Sequence, residues 1–187
     1  MMRHVILLGV ALLVSGSAAA QSTANKTGTF TLTSDVGGQG TRQQEFNGFG
    51  CAGENISPQL SWSNPPEGTK GYAVTMYDPD APTGSGWWHW VVFNIPGDAK
   101  GLPIGAGTPG KAGMPKGAIQ SRTDYGKPGY GGPCPPKGHG PHAYIITVYA
   151  LPTEDLGLDA DASPAVVGFN LNSKALAKAS IVFYYGR

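Results

Sequence analysis

Of the 41 residues from Gly101 to Pro141, 20 are glycine or proline. No helix or long strand survives that density, because proline lacks the N–H that both kinds of ladder need and glycine loses the most chain entropy on ordering. The segment reads as one long surface connection, and a connection of that length inside a compact domain is unusual unless it carries function. It closes on "GYGGPCPPKGHGPH" (Gly129–His142). Glycines in such a run can turn backbone N–H groups toward a shared point, a concavity that holds anions.

The chain on either side is of the opposite character. "YAVTMYD" (Tyr72–Asp78), "WHWVVFNI" (Trp88–Ile95) and "AYIITVYAL" (Ala143–Leu151) are β-branched and aromatic runs bounded by Pro, Gly and Asp, which is the pattern of strands. "GTFTLTSD" (Gly28–Asp35) alternates as a half-buried strand does, "QLSW" (Gln59–Trp62) is a shorter one, and "SIVFYYG" (Ser180–Gly186) is a last strand. Helix signals come late. Ser163 is a candidate N-cap with Pro164 at the first helical position, and "NSKALAKAS" has the propensity of a second short helix. The expected fold is mainly β, an antiparallel two-sheet β-sandwich with short peripheral helices near the C-terminus.

The first residues stand apart from this pattern. Arg3 and His4 precede the apolar run Val5–Val14, and small residues follow as far as Ala20. That order is a secretory signal peptide over residues 1–20, with one domain over 21–187. The run is too short to span a bilayer, which takes about 20 apolar residues. The expected location is therefore periplasmic or secreted. With 13 basic and 12 acidic residues, Arg3 among the former, the remaining chain is near neutral and carries no basic footprint for nucleic acid. Export would place Cys51 and Cys134 in an oxidising compartment, where a disulfide between them would stabilise by about 4.5 kcal/mol on the chain-entropy argument. Two unpaired thiols are the alternative, since sequence gives no Cα separation.

Chemistry concentrates in "YDPDAPTGSGWWHW" (Tyr77–Trp90) and in the end of the Gly/Pro-rich connection. Beyond residue 20 the histidines are His89, His139 and His142, all in these two segments. Asp78 closes one strand and Asp80 follows in the turn, so acceptors and a titratable donor can meet a polar head group. Strand alternation sends Trp88 and Trp90 to one face, and Trp87 and His89 to the other. Singly, each feature has a plainer explanation: Asp-Pro pairs initiate turns, and a histidine in a strand is commonly a satisfied core residue.

Taken together, "DPDAP", "WHWVVFNIP", "GYGGPCPPKGHGPHAY", "CAGENISPQLSW" (Cys51–Trp62) and "VYAL" resemble the phosphatidylethanolamine-binding protein family, in particular its bacterial Raf-kinase-inhibitor-like branch. The resemblance covers nearly all of the chain after residue 20. It implies a β-sandwich with a small surface pocket for phosphate, phosphoryl head groups or similar anions. By the same resemblance the pocket residues are Asp78, Asp80, Pro82, His89, Gly132, Pro136, His142 and Tyr144, and the Ala81–Pro82 bond is cis. The chain departs from the family at Ala143, where an arginine is usual, and in "NSKALAKA", where a histidine often precedes the Leu-Ala pair.

The function expected is non-enzymatic binding of a small phosphorylated or anionic ligand, with no cofactor and no metal. Two alternatives remain. One is a protein-interaction module whose partner is a protease or an envelope or host protein, because relatives include kinase-pathway regulators and protease inhibitors. The other is a hydrolase using zinc or a histidine base, against which the chain has neither HExxH nor CxxC spacing and no G-x-S-x-G elbow.

Overall fold

The structure is a computed structural model that describes residues 28–187. The signal peptide expected over residues 1–20 lies outside the described residues. The elements in chain order are β1 (Thr31–Ser34), β2 (Asn47–Gly48), β3 (Cys51–Ala52), β4 (Leu60–Ser63), β5 (Gly71–Asp78), β6 (Trp87–Pro96), β7 (Gly101–Leu102), β8 (Ile119–Gln120), β9 (His142–Leu151), α1 (Pro164–Lys174) and β10 (Ala177–Tyr185). They form a five-stranded sheet ordered β10-β9-β5-β6-β8, a three-stranded sheet β1-β4-β7 and a two-stranded ribbon β2-β3. All the pairings between named strands are antiparallel. The sandwich expected from sequence is present.

Two clusters of buried side chains explain why the central strands read as nearly continuous apolar runs. Tyr72, Val74, Met76, Trp90, Val92, Tyr144, Ile146 and Val148 face the small sheet, where Leu32, Leu60, Trp62 and Leu102 meet them. Ala73, Val91, Phe93, Tyr149 and Leu151 face the other way, under Val167 and Leu171 of α1. A strand covered on both faces has no polar side to alternate with. Ser163 caps α1, its side chain accepting from the Val166 N–H at 3.4 Å, and Pro164 opens it. The helix buries the i, i+4 pair Val167 and Leu171.

Three expectations are corrected here. The first concerns "NSKALAKAS", which holds only the end of α1: the Ala175 N–H bonds to Leu171 O at 3.0 Å and β10 begins at Ala177. Ala177, Ala179 and Ile181 pack on the inner core and pair with Ala150, Val148 and Ile146 of β9. Pairing and burial there override a helical propensity worth only tenths of a kcal/mol per residue.

The second correction is that the Ala81–Pro82 bond is trans, as is every described peptide bond. The turn closes by other means. Asp78 Oδ1 accepts from the Asp80 N–H at 2.8 Å, and Ala81 O accepts from the Thr83 N–H at 2.8 Å. The trans form, intrinsically favoured by about 0.5–1 kcal/mol before proline, suffices.

The third concerns the tryptophans. Met76 pairs with Trp90 and Tyr77 pairs with Trp88, so His89 is an extra residue of β6 with no partner in β5. A bulge of this kind reverses the alternation beyond it. Trp90 therefore sits in the inner core, while Trp88 packs on the outer face beside Tyr77, ring centroids 4.6 Å apart. His89 turns inward with Trp90, its ring against Tyr144 of the inner core.

Candidate functional site

The bulge matters because of where it falls. β5 ends at Asp78, while β6 and β9, its neighbours on either side, begin at Trp87 and His142. One end of the large sheet thus gathers Asp78, His89, His142 and Tyr144, all nearly or fully buried. His142 Nδ1 donates to Asp78 Oδ2 at 2.9 Å, so Asp78 accepts from a ring on Oδ2 and from a backbone N–H on Oδ1. His89 Nδ1 lies 2.8 Å from the Gly131 carbonyl, and its Nε2 stands 3.9 Å from Asp78 Oδ2.

These side chains line a cavity of about 160 Å³ together with Phe49, Ala81, Pro82, Thr83, Trp87, Tyr125, Cys134, Pro135 and Pro136. Its wall is the Gly/Pro-rich connection, which is pinned rather than loose. Gly131 N–H donates to His89 O at 2.9 Å, Gly132 N–H to Asn55 Oδ1 at 2.8 Å, and the Tyr125 hydroxyl to Gly132 O at 2.8 Å. Cys134 is disulfide-bonded to Cys51, with the Cα atoms 6.0 Å apart, the first of the two alternatives that the sequence left open.

Among the described residues, five buried side-chain polar atoms have no hydrogen-bond partner, and three of them belong to this lining: His89 Nε2, Trp87 Nε1 and the Tyr144 hydroxyl. Native interiors hold few such atoms, each costing about 1–3 kcal/mol. The Tyr144 hydroxyl approaches the Asp78 carboxylate, and Trp87 the Tyr125 hydroxyl, but neither pair reaches hydrogen-bond geometry. Burial lowers the pKa of His89 to about 4, against the opposing pull of the Gly131 carbonyl and the Asp78 charge. Burial first, and the Asp78 charge second, push the phenols of Tyr125 and Tyr144 well up. Both stay protonated and able to donate.

Six of the eight residues expected at the site line the cavity: Asp78, Pro82, His89, Pro136, His142 and Tyr144. Asp80 and Gly132 do not. Asp80 is exposed, and its Oδ2 accepts from the Ala143 N–H at 2.8 Å, which ties the turn to β9. Gly132 packs its backbone against Gln44 and Glu45. The expected use of loop glycine N–H groups is corrected for Gly131 and Gly132, whose N–H groups are spent on His89 and Asn55.

The lining residues not anticipated at the site include the aromatic side chains Trp87, Tyr125 and Phe49. Trp87 was legible, since it shares a strand with His89 two positions away. Tyr125 was not, because its place depends on how the connection folds back. Its ring stacks on Phe46 and Phe49, meets Trp87 edge-on and stands against His89.

Chemically, the cavity offers donors from Trp87 and Tyr144 and acceptors from Asp78, with His89 able to serve as either. Among the described residues no three His, Cys, Asp or Glu side chains converge as metal ligands. No described helix is long and apolar enough to cross a membrane.

Comparison with known proteins agrees with this architecture. The family model for phosphatidylethanolamine-binding protein matches residues 33–186. The UPF0098 protein YbcL of Escherichia coli (strain K12) is 52% identical over 159 residues, covering 83% of this chain and 87% of that protein. The UPF0098 protein YbhB of the same organism is 57% identical over 136 residues, covering 73% and 85%. The crystal structure of E. coli YbcL, described as a new member of the mammalian PEBP family, superposes with a TM-score of 0.82 at 51% identity, covering 84% of this chain and 98% of that one. A homologue of phosphatidylethanolamine-binding protein from Chlamydia trachomatis superposes with a TM-score of 0.70 at 27% identity, covering 84% and 97%. On sequence and fold alike, the chain belongs to the phosphatidylethanolamine-binding protein family.

Proposed function

We propose that this is an exported, non-enzymatic binding protein whose cavity takes a small oxyanion, phosphate or a phosphoryl head group. The observation that carries this reading is the convergence of His89 Nε2, Trp87 Nε1–H and the Tyr144 O–H, each buried and without a partner, on one small cavity. Buried polar atoms are retained at such cost where a ligand satisfies them. About 160 Å³ suits a small anion or head group better than a large substrate.

Several features favour binding over catalysis. Cys134 is held in the disulfide, and the Thr83 hydroxyl donates to Gly86 O, so neither is a free nucleophile. A ring with a pKa of about 4 is a poor general base at neutral pH, where the most effective bases have a pKa near the working pH. Export is favoured by the order of residues 1–20 and by the disulfide, since such bonds persist in oxidising compartments.

The test is thermal denaturation with inorganic phosphate or phosphoethanolamine, wild type against His89→Ala. A ligand at 100 times its Kd stabilises the folded state by about 2.7 kcal/mol. The expected result is a raised midpoint for wild type and a smaller rise for the variant. An unmoved wild-type midpoint with both compounds would reject the reading, and equal rises in both proteins would remove His89 from the site.

A further inference from the structure

For a site read as an anion pocket, this cavity is short of positive charge. No Lys or Arg of the described residues lines it, and the Asp78 carboxylate, 3% exposed, is part of its lining. His89 does not offset that charge. Its Nδ1 faces the Gly131 carbonyl at 2.8 Å, which only accepts, so the hydrogen of a neutral ring sits on Nδ1 and Nε2 presents a lone pair. Nε2 and Asp78 Oδ2, 3.9 Å apart, are two acceptors turned toward one space.

An oxyanion made only of acceptors would satisfy Trp87 Nε1–H and the Tyr144 O–H. It would also set an oxygen against the lone pair of His89 and the charge of Asp78. One hydrogen removes the conflict at His89, and a ligand with a single negative charge lessens the one at Asp78. The hydrogen can come on the ligand, as an O–H donating to Nε2, or on the ring, as Nε2–H donating to the ligand.

Resting on the anion-pocket reading above, we infer that the cavity binds its oxyanion together with one proton, held between His89 Nε2 and a ligand oxygen. It thereby selects phosphate monoesters in their singly protonated form over sulfate esters of the same shape and charge. His89 is then the specificity-determining residue, because its Nε2 lone pair rejects a ligand that has no hydrogen to give, while the Asp78 charge opposes a second negative charge on the ligand.

The groups around the His89 ring are Asp78 on β5, Tyr144 on β9 with His142 of the same strand bonded to Asp78, and, from the long connection, Tyr125 against the ring and the charge of Asp124. The two carboxylates favour a charged ring and burial opposes it more strongly, which keeps the ring of the free protein neutral at pH 7. The phenols stay neutral, and the Nδ1–H of His142 is already engaged by Asp78. The ligand is the easier source of the proton, since a phosphate monoester loses its second proton near pH 6, whereas a sulfate ester has none to lose (about 6 for the phosphoryl group).

The experiment is isothermal titration calorimetry of the wild-type protein with methyl phosphate and methyl sulfate at pH 6, 7 and 8. Methyl phosphate is expected to bind at least about tenfold tighter than methyl sulfate at pH 6, and roughly fiftyfold more weakly at pH 8 than at pH 6. At pH 7, buffers of different ionisation heat should report uptake of close to one proton per methyl phosphate bound. Equal affinities for the two esters, unchanged from pH 6 to pH 8, would overturn the proton-linked site while leaving an anion pocket in place. No binding of either ester at any pH would overturn the anion pocket itself, and this inference with it.

Discussion

The rings of His89 and Tyr144 meet edge to face, centroids 5.1 Å apart and inclined at 82°. The two residues lie on β6 and β9, which are not neighbours: β5 runs between them. They touch because β5 ends at Asp78, and because the bulge at His89 turns that ring to the inner side of the sheet. The cavity is thus built from strand ends, with rigid elements holding each polar atom. A shift of one residue in the pairing of β6 would carry His89 back to the outer face.

Gly132 tests the line between site and scaffold. A Cβ there would overlap the Gln44 carbonyl oxygen and crowd the backbone of Glu45, and backbone cannot swing aside as a side chain can. Gly132→Ala is expected to destabilise by about 1–3 kcal/mol or more, as overpacking does. Urea unfolding should show a lower midpoint with an unchanged slope. A midpoint within error of wild type would show that the connection is not seated as described.

The depressed pKa of His89 sets a pH dependence of stability. Between its ordinary value of about 6.5 and its folded value of about 4, the unfolded chain binds a proton at this residue and the folded chain does not. Stability therefore rises with pH across that window. The contribution of His89 is complete above about 6.5 and lost by about 4, amounting to roughly 3 kcal/mol at most. Urea midpoints of wild type and His89→Gln, measured at pH 7 and pH 4.5, should show the larger acid-induced drop in wild type. Equal drops would place the titration elsewhere.

Much of this architecture was legible in local pattern. The β-branched runs became β5, β6 and β9, and Ser163-Pro164 opened α1. What local pattern could not give were features set by distant partners. "AKASI" has helical propensity and becomes strand because β9 offers it a ladder and the inner core takes every second residue. The inward turn of His89 depends on one extra residue relative to β5, which no alternation within β6 reveals. Tyr125 reaches the cavity only because Asn55, Gln44 and Cys51, far off in sequence, anchor the connection around it. Asp80 and Gly132 belong to motifs that do line up with the site. Their atoms support the turn and the wall instead of facing the cavity.

The disulfide closes a separation of 83 positions, and Cys134 itself lines the cavity. Cys51→Ser combined with Cys134→Ser should lower stability by about 2–4.5 kcal/mol. The wall keeps a second tether in Arg187, whose guanidinium donates to Pro135 O at 2.6 Å and to Gly50 O at 2.8 Å. The double variant is therefore expected to fold at 25 °C, with a lowered thermal midpoint and a smaller stabilisation by phosphate than wild type shows. A midpoint unaffected by losing the bridge would mean that the other anchors suffice.

Tyr144→Phe separates what the hydroxyl does for the fold from what it does for a ligand. The ring stacks on Phe183, centroids 5.3 Å apart at 22°, and packs against His89, contacts that phenylalanine keeps. The hydroxyl is buried and has no partner within the protein, so it stands as a cost of about 1–3 kcal/mol to the free state. Its removal is expected to stabilise the free protein by about 1 kcal/mol, and at the same time to reduce the stabilisation that added phosphate produces. Opposite signs in one variant are the signature of a group kept for a ligand at the expense of stability. If the free variant melts below wild type, the hydroxyl is serving the fold. If phosphate protects both proteins equally, it does not touch the anion.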